Sequence, residues 1–96
     1  MAKGYIIGHL NVKDMAAFGT GYAMKVPAII SEFGGAFLVR GGDVRYREGD
    51  EADIDVIVEF PDVASAEALL ASDAYKEIEA VRKEQTTGLF MLVEGV

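Results

Sequence analysis

The sequence predicts one α+β domain whose elements follow the order βαββαβ. The chain has 96 residues, which is the size of a single domain. Four segments are rich in β-branched and aromatic residues, as strands are. Two longer stretches repeat apolar residues at intervals of three and four, as amphipathic helices do. With 51% apolar and 26% charged residues, the composition is that of an ordinary globular domain.

The first half of the chain predicts a strand followed by a helix. Residues 4–12 (GYIIGHLNV) have strand composition, and Asp14 then offers an N-cap. Apolar residues from 15 to 33 follow at helical spacing. Pro27 has no backbone N–H, so we expect the helix to kink or split there. Gly34 and Gly35 predict a left-handed helix end and a turn.

The middle of the chain predicts a hairpin with a long acidic connection. Residues 36–40 (AFLVR) predict the second strand, and residues 54–60 (IDVIVEF) the third. Six acidic residues fall among residues 43–55, so we expect an exposed extension there, with a short ladder around residues 44–47.

The last third predicts two helical segments and a final strand. Asp62 caps the second helix after Pro61, and Ser72 re-caps the chain for a segment that runs to about Gln85. Gly88 is expected to open the last strand, LFMLVE. The order βαββαβ is most simply satisfied by a ferredoxin-like fold, with both helical regions on one face of a four-stranded antiparallel sheet.

Alternation along the strands predicts which side chains face away from the helices. On that far side the pattern places a mixed but substantially apolar set, and we expect a second copy's sheet to cover it in a closed symmetric homodimer. The expected set consists of Tyr5, Ile7, His9, Asn11, Ala36, Leu38, Arg40, Asp55, Ile57, Glu59, Phe90, Leu92 and Glu94.

Several runs of the chain resemble a known family. EFGGAFLVRGG at residues 32–42, VEFPD at 58–62, SDAY at 72–75 and Arg82 are similar to the bacterial family called domain of unknown function thirteen-thirty, of the dimeric α+β barrel superfamily. The resemblance implies a homodimer whose two sheets form a shared barrel. It implies no reaction, because related families range from cofactor-independent monooxygenases and muconolactone isomerase-like enzymes to haem enzymes and stress-response proteins.

Composition argues against several classes of function. The net charge of −7 disfavours nucleic acid, which requires clustered Lys and Arg. The chain has no cysteine, which excludes disulfides and thiolate chemistry. No apolar run approaches about 18 residues, so we expect a cytoplasmic protein without a membrane partner. One histidine with scattered carboxylates does not make a metal site, and no glycine pattern matches a nucleotide loop. We therefore expect neither metal nor cofactor.

Three polar residues are the predicted catalytic set. His9 would act as general base, Arg40 as an anion clamp and Glu59 as an orienting acid, if the three converge inside an apolar cavity. The set suits proton abstraction beside a carbonyl, or oxidation of an electron-rich aromatic without a cofactor. The alternatives are a hydrogen-bonded interface histidine and a salt bridge between Arg40 and Glu59 or Asp55.

Further residues are predicted to contact a ligand. They are Tyr22, Asn11 and Gly41; Tyr22 and Tyr75 alternatively serve the core. Pro27 frees the carbonyl of Ala23, which would mark a cavity wall or a tolerated kink. Arg82 is expected to pair with Glu79 or a helix-end carbonyl.

Two functions follow from these expectations. One is a cofactor-independent enzyme of monooxygenase or isomerase type, acting on a small acidic or aromatic metabolite. The other is a non-catalytic small-molecule-binding or stress-associated dimer.

Overall fold

The computed structural model describes residues 2–96 and contains one four-stranded antiparallel sheet. Its strands are β1 (Gly4–Val12), β2 (Ala36–Arg40), β3 (Ile54–Phe60) and β4 (Thr86–Glu94), in the spatial order β2-β3-β1-β4. The predicted bounds of the first three strands are confirmed. The fourth begins two residues before Gly88, which lies inside it with φ of +108°. Only glycine fits this position, because a Cβ there would overlap the carbonyl oxygen of His9.

The helical segments lie on one face of this sheet, as predicted for a ferredoxin-like α+β fold. They are α1 (Met15–Phe18), a π-helix (Gly19–Ala23), α2 (Val26–Glu32), α3 (Val63–Ala71) and α4 (Asp73–Gln85). The three predicted caps are present. Asp14 accepts from the Ala17 N–H at 3.1 Å, Asp62 from the Ser65 N–H at 2.7 Å, and Ser72 from the Tyr75 N–H at 3.2 Å. None of the helices within residues 2–96 has the length and apolar character needed to cross a membrane.

The first helix is split ahead of Pro27, as its missing N–H predicts. Pro27 occupies the first turn of α2, where a backbone N–H has no partner within the helix. The preceding turn widens into the π-helix. The carbonyl of Ala23, four residues before Pro27, accepts a hydrogen bond from the Arg40 guanidinium instead.

The core fills the space between the helices and the sheet. Its fully buried side chains include Phe60, Leu69 and Tyr75, each at most 1% exposed. The rest of the buried cluster consists of Ile6, Phe18, Tyr22, Val26, Ile30, Val58, Ala66 and Ile78. Burial of this apolar area is the main source of stability for a domain of this size.

A β-bulge in β2 corrects the predicted side of its last residues. Phe37 pairs with Val58, but Val39 pairs with Ile57, so Leu38 is one extra residue in the strand. Arg40 then pairs with Val56, which belongs to the helix side of β3. The prediction that Arg40 shares a face with His9 is therefore wrong, because the inserted residue reverses the alternation beyond it.

The predicted faces of β4 are also reversed. Phe90 pairs with Gly8 and Leu92 with Ile6, so both lie on the helix face. The face away from the helices, the open face hereafter, is formed by Tyr5, Ile7, His9, Asn11, Ala36, Val39, Asp55, Ile57, Glu59, Leu89, Met91 and Val93. Both sides of β4 are apolar, so alternation alone could not choose between them.

The acidic connection between β2 and β3 contains no strand, so the predicted ladder at 44–47 is absent from residues 41–53. Hydrogen bonds anchor both of its ends. The Gly41 N–H donates to the Asp55 carbonyl at 2.9 Å, and the Asp53 N–H donates to the Leu10 carbonyl at 2.9 Å. The Asp53 carboxylate also accepts from the Val12 N–H at 2.7 Å. The connection is thereby held against the end of β1.

The π-helix packs closely on α4 at Gly21, and a substitution there tests this contact. A Cβ at Gly21 would lie 2.8 Å from Cγ1 of Val81, whose β-branched side chain has little freedom to move. We expect Gly21→Ala to destabilise the fold by about 1–2 kcal/mol in urea denaturation. Gly19→Ala is the matched control, since nothing lies within 4 Å of a Cβ at Gly19. It should leave stability unchanged or raise it by up to about 1 kcal/mol. Equal midpoints for the two variants would contradict this packing.

Candidate functional site

A cavity lies between the helices and the sheet. The volume open to the centre of a water molecule is about 60 Å³, several times what one water requires. The empty space between the lining atoms, including the mouth, is about 620 Å³. The lining is almost wholly apolar and consists of Ile6, Gly8, Leu10, Phe18, Tyr22, Ala23, Val26, Ile30, Phe37, Arg40, Ile54, Val56, Val58, Leu69, Tyr75 and Phe90. Such a cavity favours an apolar ligand body.

Gly8 forms part of the floor of the cavity. This residue lies on the helix face of β1, between Val56 of β3 and Phe90 of β4. A Cβ built on Gly8 would come no closer than 3.5 Å to another atom, the Cδ1 of Leu10. The glycine therefore leaves room that a side chain could occupy, and sequence analysis missed it. The available signal was a glycine inside a strand, which often marks close approach of another group.

Arg40 supplies the positive charge in the cavity lining. The bulge turns it to the helix face, where its Nη2 donates to the Ala23 carbonyl at 3.2 Å. Its Cζ lies 4.8 Å from the centre of the Phe37 ring. A guanidinium carries five N–H donors, so one bond to a carbonyl leaves donors for a ligand oxyanion. The predicted salt bridge from Arg40 to Glu59 or Asp55 is wrong, because both carboxylates lie on the open face.

Tyr22, Tyr75 and Arg82 form a buried polar chain beside the cavity. The two phenol oxygens are 2.8 Å apart, and the Arg82 Nε donates to the Tyr75 oxygen at 3.0 Å. The Arg82 Cζ lies 3.7 Å from the centre of the Phe90 ring. The predicted pairing of Arg82 with Glu79 or a helix-end carbonyl is wrong, since Arg82 donates to Tyr75 and Glu79 pairs with Lys83. Burial, and after it the neighbouring Tyr75, raises the pKa of Tyr22, so this phenol stays protonated at neutral pH.

His9 lies on the opposite side of the sheet from the cavity. Its Nδ1 is 2.5 Å from the Asp55 carboxylate, and its Nε2 is 3.1 Å from the Asp50 carbonyl. Both partners are acceptors, so the ring donates from both nitrogens when it is protonated. The Asp55 carboxylate, and after it the Asp50 carbonyl, raise the pKa of His9 above its usual 6.5. This arrangement anchors the acidic connection to the sheet.

Glu59 also lies on the open face, away from His9. It accepts from Lys3 at 3.2 Å and from the Tyr5 hydroxyl at 3.1 Å. Because His9 pairs with Asp55, Glu59 is four residues further along β3, about 13 Å away. The structure therefore does not bring His9, Arg40 and Glu59 together.

The predicted ligand-binding residues are divided between the two sides. Tyr22 lines the cavity with Arg40. Asn11 is exposed near the end of β1, and Gly41 follows Arg40 without lining the cavity. Phe37 and Phe90 also line it, although alternation predicts Phe90 on the opposite side of the sheet. Within residues 2–96, no cluster of three or more His, Asp or Glu side chains could hold a metal ion.

Comparison with known proteins places the chain in a family. Residues 3–96 match the family described as domain of unknown function DUF1330, so the chain belongs to it, as its sequence resemblance predicted. A search of curated proteins finds no match.

Solved structures share the fold. RPA0582 of Rhodopseudomonas palustris, a protein of unknown function, is 15% identical with a TM-score of 0.73, over 99% of this chain and 83% of that one. SnoaB, a cofactor-independent oxygenase from Streptomyces nogalater, is 17% identical with a TM-score of 0.63, over 97% and 92%. A conserved protein from Methanosarcina mazei is 17% identical with a TM-score of 0.53, over 98% and 91%. At these identities the likeness shows the fold alone.

The contacts of His9 predict a pH dependence of stability. His9 is the one histidine of the chain, so its ring proton can be followed in an NMR titration without assignment. We expect its folded pKa to lie above 6.5, as its hydrogen bonds to Asp55 and Asp50 indicate. The contribution of protonated His9 to the free energy of unfolding is then fully present below the pKa of His9 in the unfolded chain. It is lost as the pH rises through the pKa of His9 in the folded protein.

Two carboxylate variants test the cause of this shift. Asp55→Asn should move the His9 pKa back towards 6.5 and flatten the change in stability over that pH range. Glu59→Gln makes the same chemical change further along the same face of β3 and should leave the titration unaltered. A wild-type pKa at or below 6.5 would contradict the geometry.

Proposed function

We propose that this member of the DUF1330 family binds a small, largely apolar anion, such as an aromatic carboxylate or an enolate, in the cavity under the helices. Arg40 would hold the anionic group at the cavity wall, and the apolar side chains would cover the rest of the molecule. The observation that carries the proposal is the Arg40 guanidinium in an otherwise apolar lining. A cation there favours a negative ligand group, while the apolar lining favours a hydrophobic body.

Proton abstraction by the protein is not the chemistry that this cavity favours. A general base must have a pKa near the working pH and lie within hydrogen-bond reach of the substrate. Burial raises the pKa of Tyr22, which makes it a donor rather than a base. His9 lies across the sheet and is bonded at both nitrogens. Binding therefore accounts for the site better than isomerase chemistry does.

Cofactor-independent oxygenation is the second candidate function. The same guanidinium beside an apolar cavity would stabilise an electron-rich enolate or phenolate, which is the form that reacts with oxygen. In such a reaction the substrate, bound as its enolate or phenolate, gives an electron from carbon to O₂ and recombines with the resulting superoxide as a peroxide anion, which takes a proton from solvent to become a hydroperoxide. Loss of water then leaves a carbonyl, so that CH₂ and O₂ become C=O and H₂O. SnoaB, which shares the fold, is a cofactor-independent oxygenase.

The apolar open face supports a homodimer through the sheet. Leu89, Met91 and Val93 are 47%, 38% and 40% exposed, and Val39 is 36% exposed. They form one patch around Ile7 and Ile57, which is a costly surface to leave in water. A second copy of the same face would cover it about a two-fold axis.

Arg40→Gln tests the binding proposal. We expect wild-type protein to bind 2-naphthoate more tightly than the neutral 2-naphthalenemethanol in calorimetric titration. Arg40→Gln should weaken naphthoate about tenfold, because it removes a charged hydrogen bond, and should leave the alcohol nearly unchanged. Arg45→Gln, the same change on the exposed acidic connection, is the control. Equal loss of both ligands, or no loss, would contradict the role of Arg40.

A variant that fills part of the cavity tests where the ligand binds, independently of the charge on Arg40. Gly8→Ala should weaken both naphthalene ligands, because its methyl group would occupy part of the floor, and it should not reduce stability, since a Cβ there comes no closer than 3.5 Å to another side chain. Running the same variants in an oxygen electrode with 1,3-dihydroxynaphthalene, an electron-rich phenol, tests the second candidate. Oxygen uptake that Arg40→Gln abolishes would support oxygenation, and binding without uptake would leave the binding function alone.

Met91→Lys tests the homodimer. Wild-type protein should sediment at about twice the 10.3 kDa chain mass, and Met91→Lys should sediment as a monomer because it places a charge in the apolar patch. Met24→Lys is the matched control, since Met24 is 76% exposed on the helical side. A wild-type monomer, or equal masses for the two variants, would argue against this interface.

A further inference from the structure

The buried chain of Tyr22, Tyr75 and Arg82 has one more hydrogen-bond donor than its contacts use. Three donors face one another, namely the Arg82 Nε–H and the two phenol O–H groups. The Arg82 N–H is used on the Tyr75 oxygen, and one O–H is used between the two phenols. The other O–H has no acceptor among the hydrogen bonds of residues 2–96. Tyr22 is 8% exposed and Tyr75 is 1% exposed, so bulk water is a poor partner.

The direction of the hydrogen bonds among these three residues identifies the Tyr22 O–H as the donor without an acceptor. If the Tyr75 O–H donates to Tyr22, each bond of the chain points away from Arg82 and each polarises the next one. The Tyr22 O–H is then left without an acceptor in a residue that, like Tyr75, lines the cavity. In the reverse arrangement the Tyr75 oxygen would accept two hydrogen bonds. The Tyr75 O–H, which is the more deeply buried of the two, would then have no acceptor. The raised pKa of Tyr22 is consistent with a group that keeps its proton.

The charge on Arg82 favours the same direction. None of the ion pairs within residues 2–96 involves this arginine. Its guanidinium instead lies 3.7 Å over the Phe90 ring, and Phe90 itself lines the cavity. A buried cation without a carboxylate strengthens the donor at the far end of the chain and creates a positive potential there. A ligand oxygen is the complementary partner.

We infer that the cavity binds a molecule with two oxygen-bearing groups, an anionic group held by Arg40 and a carbonyl oxygen that accepts from the Tyr22 hydroxyl. The ligand class is then an aromatic oxo-acid rather than a simple aromatic acid. This inference rests on the proposed function, since it takes the anion at Arg40 as given. It adds the second anchor, which sets the orientation of the ligand in the cavity. Arg82 acts through Tyr75 and is a positioning residue.

Isosteric ligand pairs test the second anchor. The probes are 3- and 4-acetylbenzoate, each compared with the isopropylbenzoate of the same substitution, which replaces the carbonyl oxygen by a methyl group. We expect wild-type protein to bind at least one acetyl compound about three- to tenfold more tightly than its isopropyl partner, as one hydrogen bond predicts. Affinities are measured by NMR titration of the valine methyl groups that line the cavity, Val26, Val56 and Val58.

Tyr22→Phe is the decisive variant. This variant should lower the ratio of acetyl to isopropyl affinity at least threefold, while the affinity for the isopropyl compound stays the same. Tyr46→Phe makes the same change on an exposed tyrosine (78% exposed) and should keep the preference. A merely structural role of Tyr22 would weaken both members of a pair equally.

The outcomes separate this inference from the proposed function. Equal affinity of acetyl and isopropyl compounds in wild-type protein, or a preference that Tyr22→Phe leaves intact, overturns the second anchor alone. Arg40→Gln should still weaken all four benzoates in that case. Failure of every benzoate to shift the cavity methyl groups overturns both the anchor and the proposed function.

Discussion

The single extra residue in β2 is the constraint on which the site depends. Side chains alternate across a strand, so the bulge at Leu38 moves Arg40 from the open face to the helix face. Without it, the guanidinium would lie near the carboxylates of the open face, and the cavity wall would have no positive charge at this point. A single local irregularity of the backbone therefore decides whether the cavity can select a ligand by charge.

A second irregularity complements the first one. Pro27 has no N–H to offer the carbonyl of Ala23, so this oxygen is free to accept a hydrogen bond from outside the helix. Arg40, which the bulge places on the helix face at the exposed edge of the sheet, donates to this oxygen and lies beside the Phe37 ring. The proline frees a carbonyl, and the bulge brings a donor to the same face of the sheet. The guanidinium is oriented at the same time, and an oriented donor loses less entropy when a ligand binds.

The local features of the fold could be predicted from the sequence, but the placement of the site could not. Strand composition located β1, β2 and β3, and Asp14, Asp62 and Ser72 identified helix starts, because these signals lie within a few residues of the structure they determine.

The side of Arg40 depended on a bulge with no mark in the sequence. The side of Phe90 was ambiguous because both faces of β4 are apolar. The partners of His9 and Arg82 depended on strand register and helix packing, which join residues far apart in the chain. Tyr22 and Arg40 were identified as candidates from their residue type, whereas Gly8 was missed because it contributes space.

β1 is central in the sheet, and its consecutive residues serve different surfaces. Gly8 belongs to the cavity floor, while its neighbours Ile7 and His9 belong to the open face. A change at an even position alters the shape available to a ligand, and a change at an odd position alters the surface that meets other molecules. Ligand preference and surface recognition can therefore diverge independently among relatives, although one strand of nine residues carries both. For protein engineering, the same separation allows the cavity to be reshaped along one side of the strand without redesigning the other.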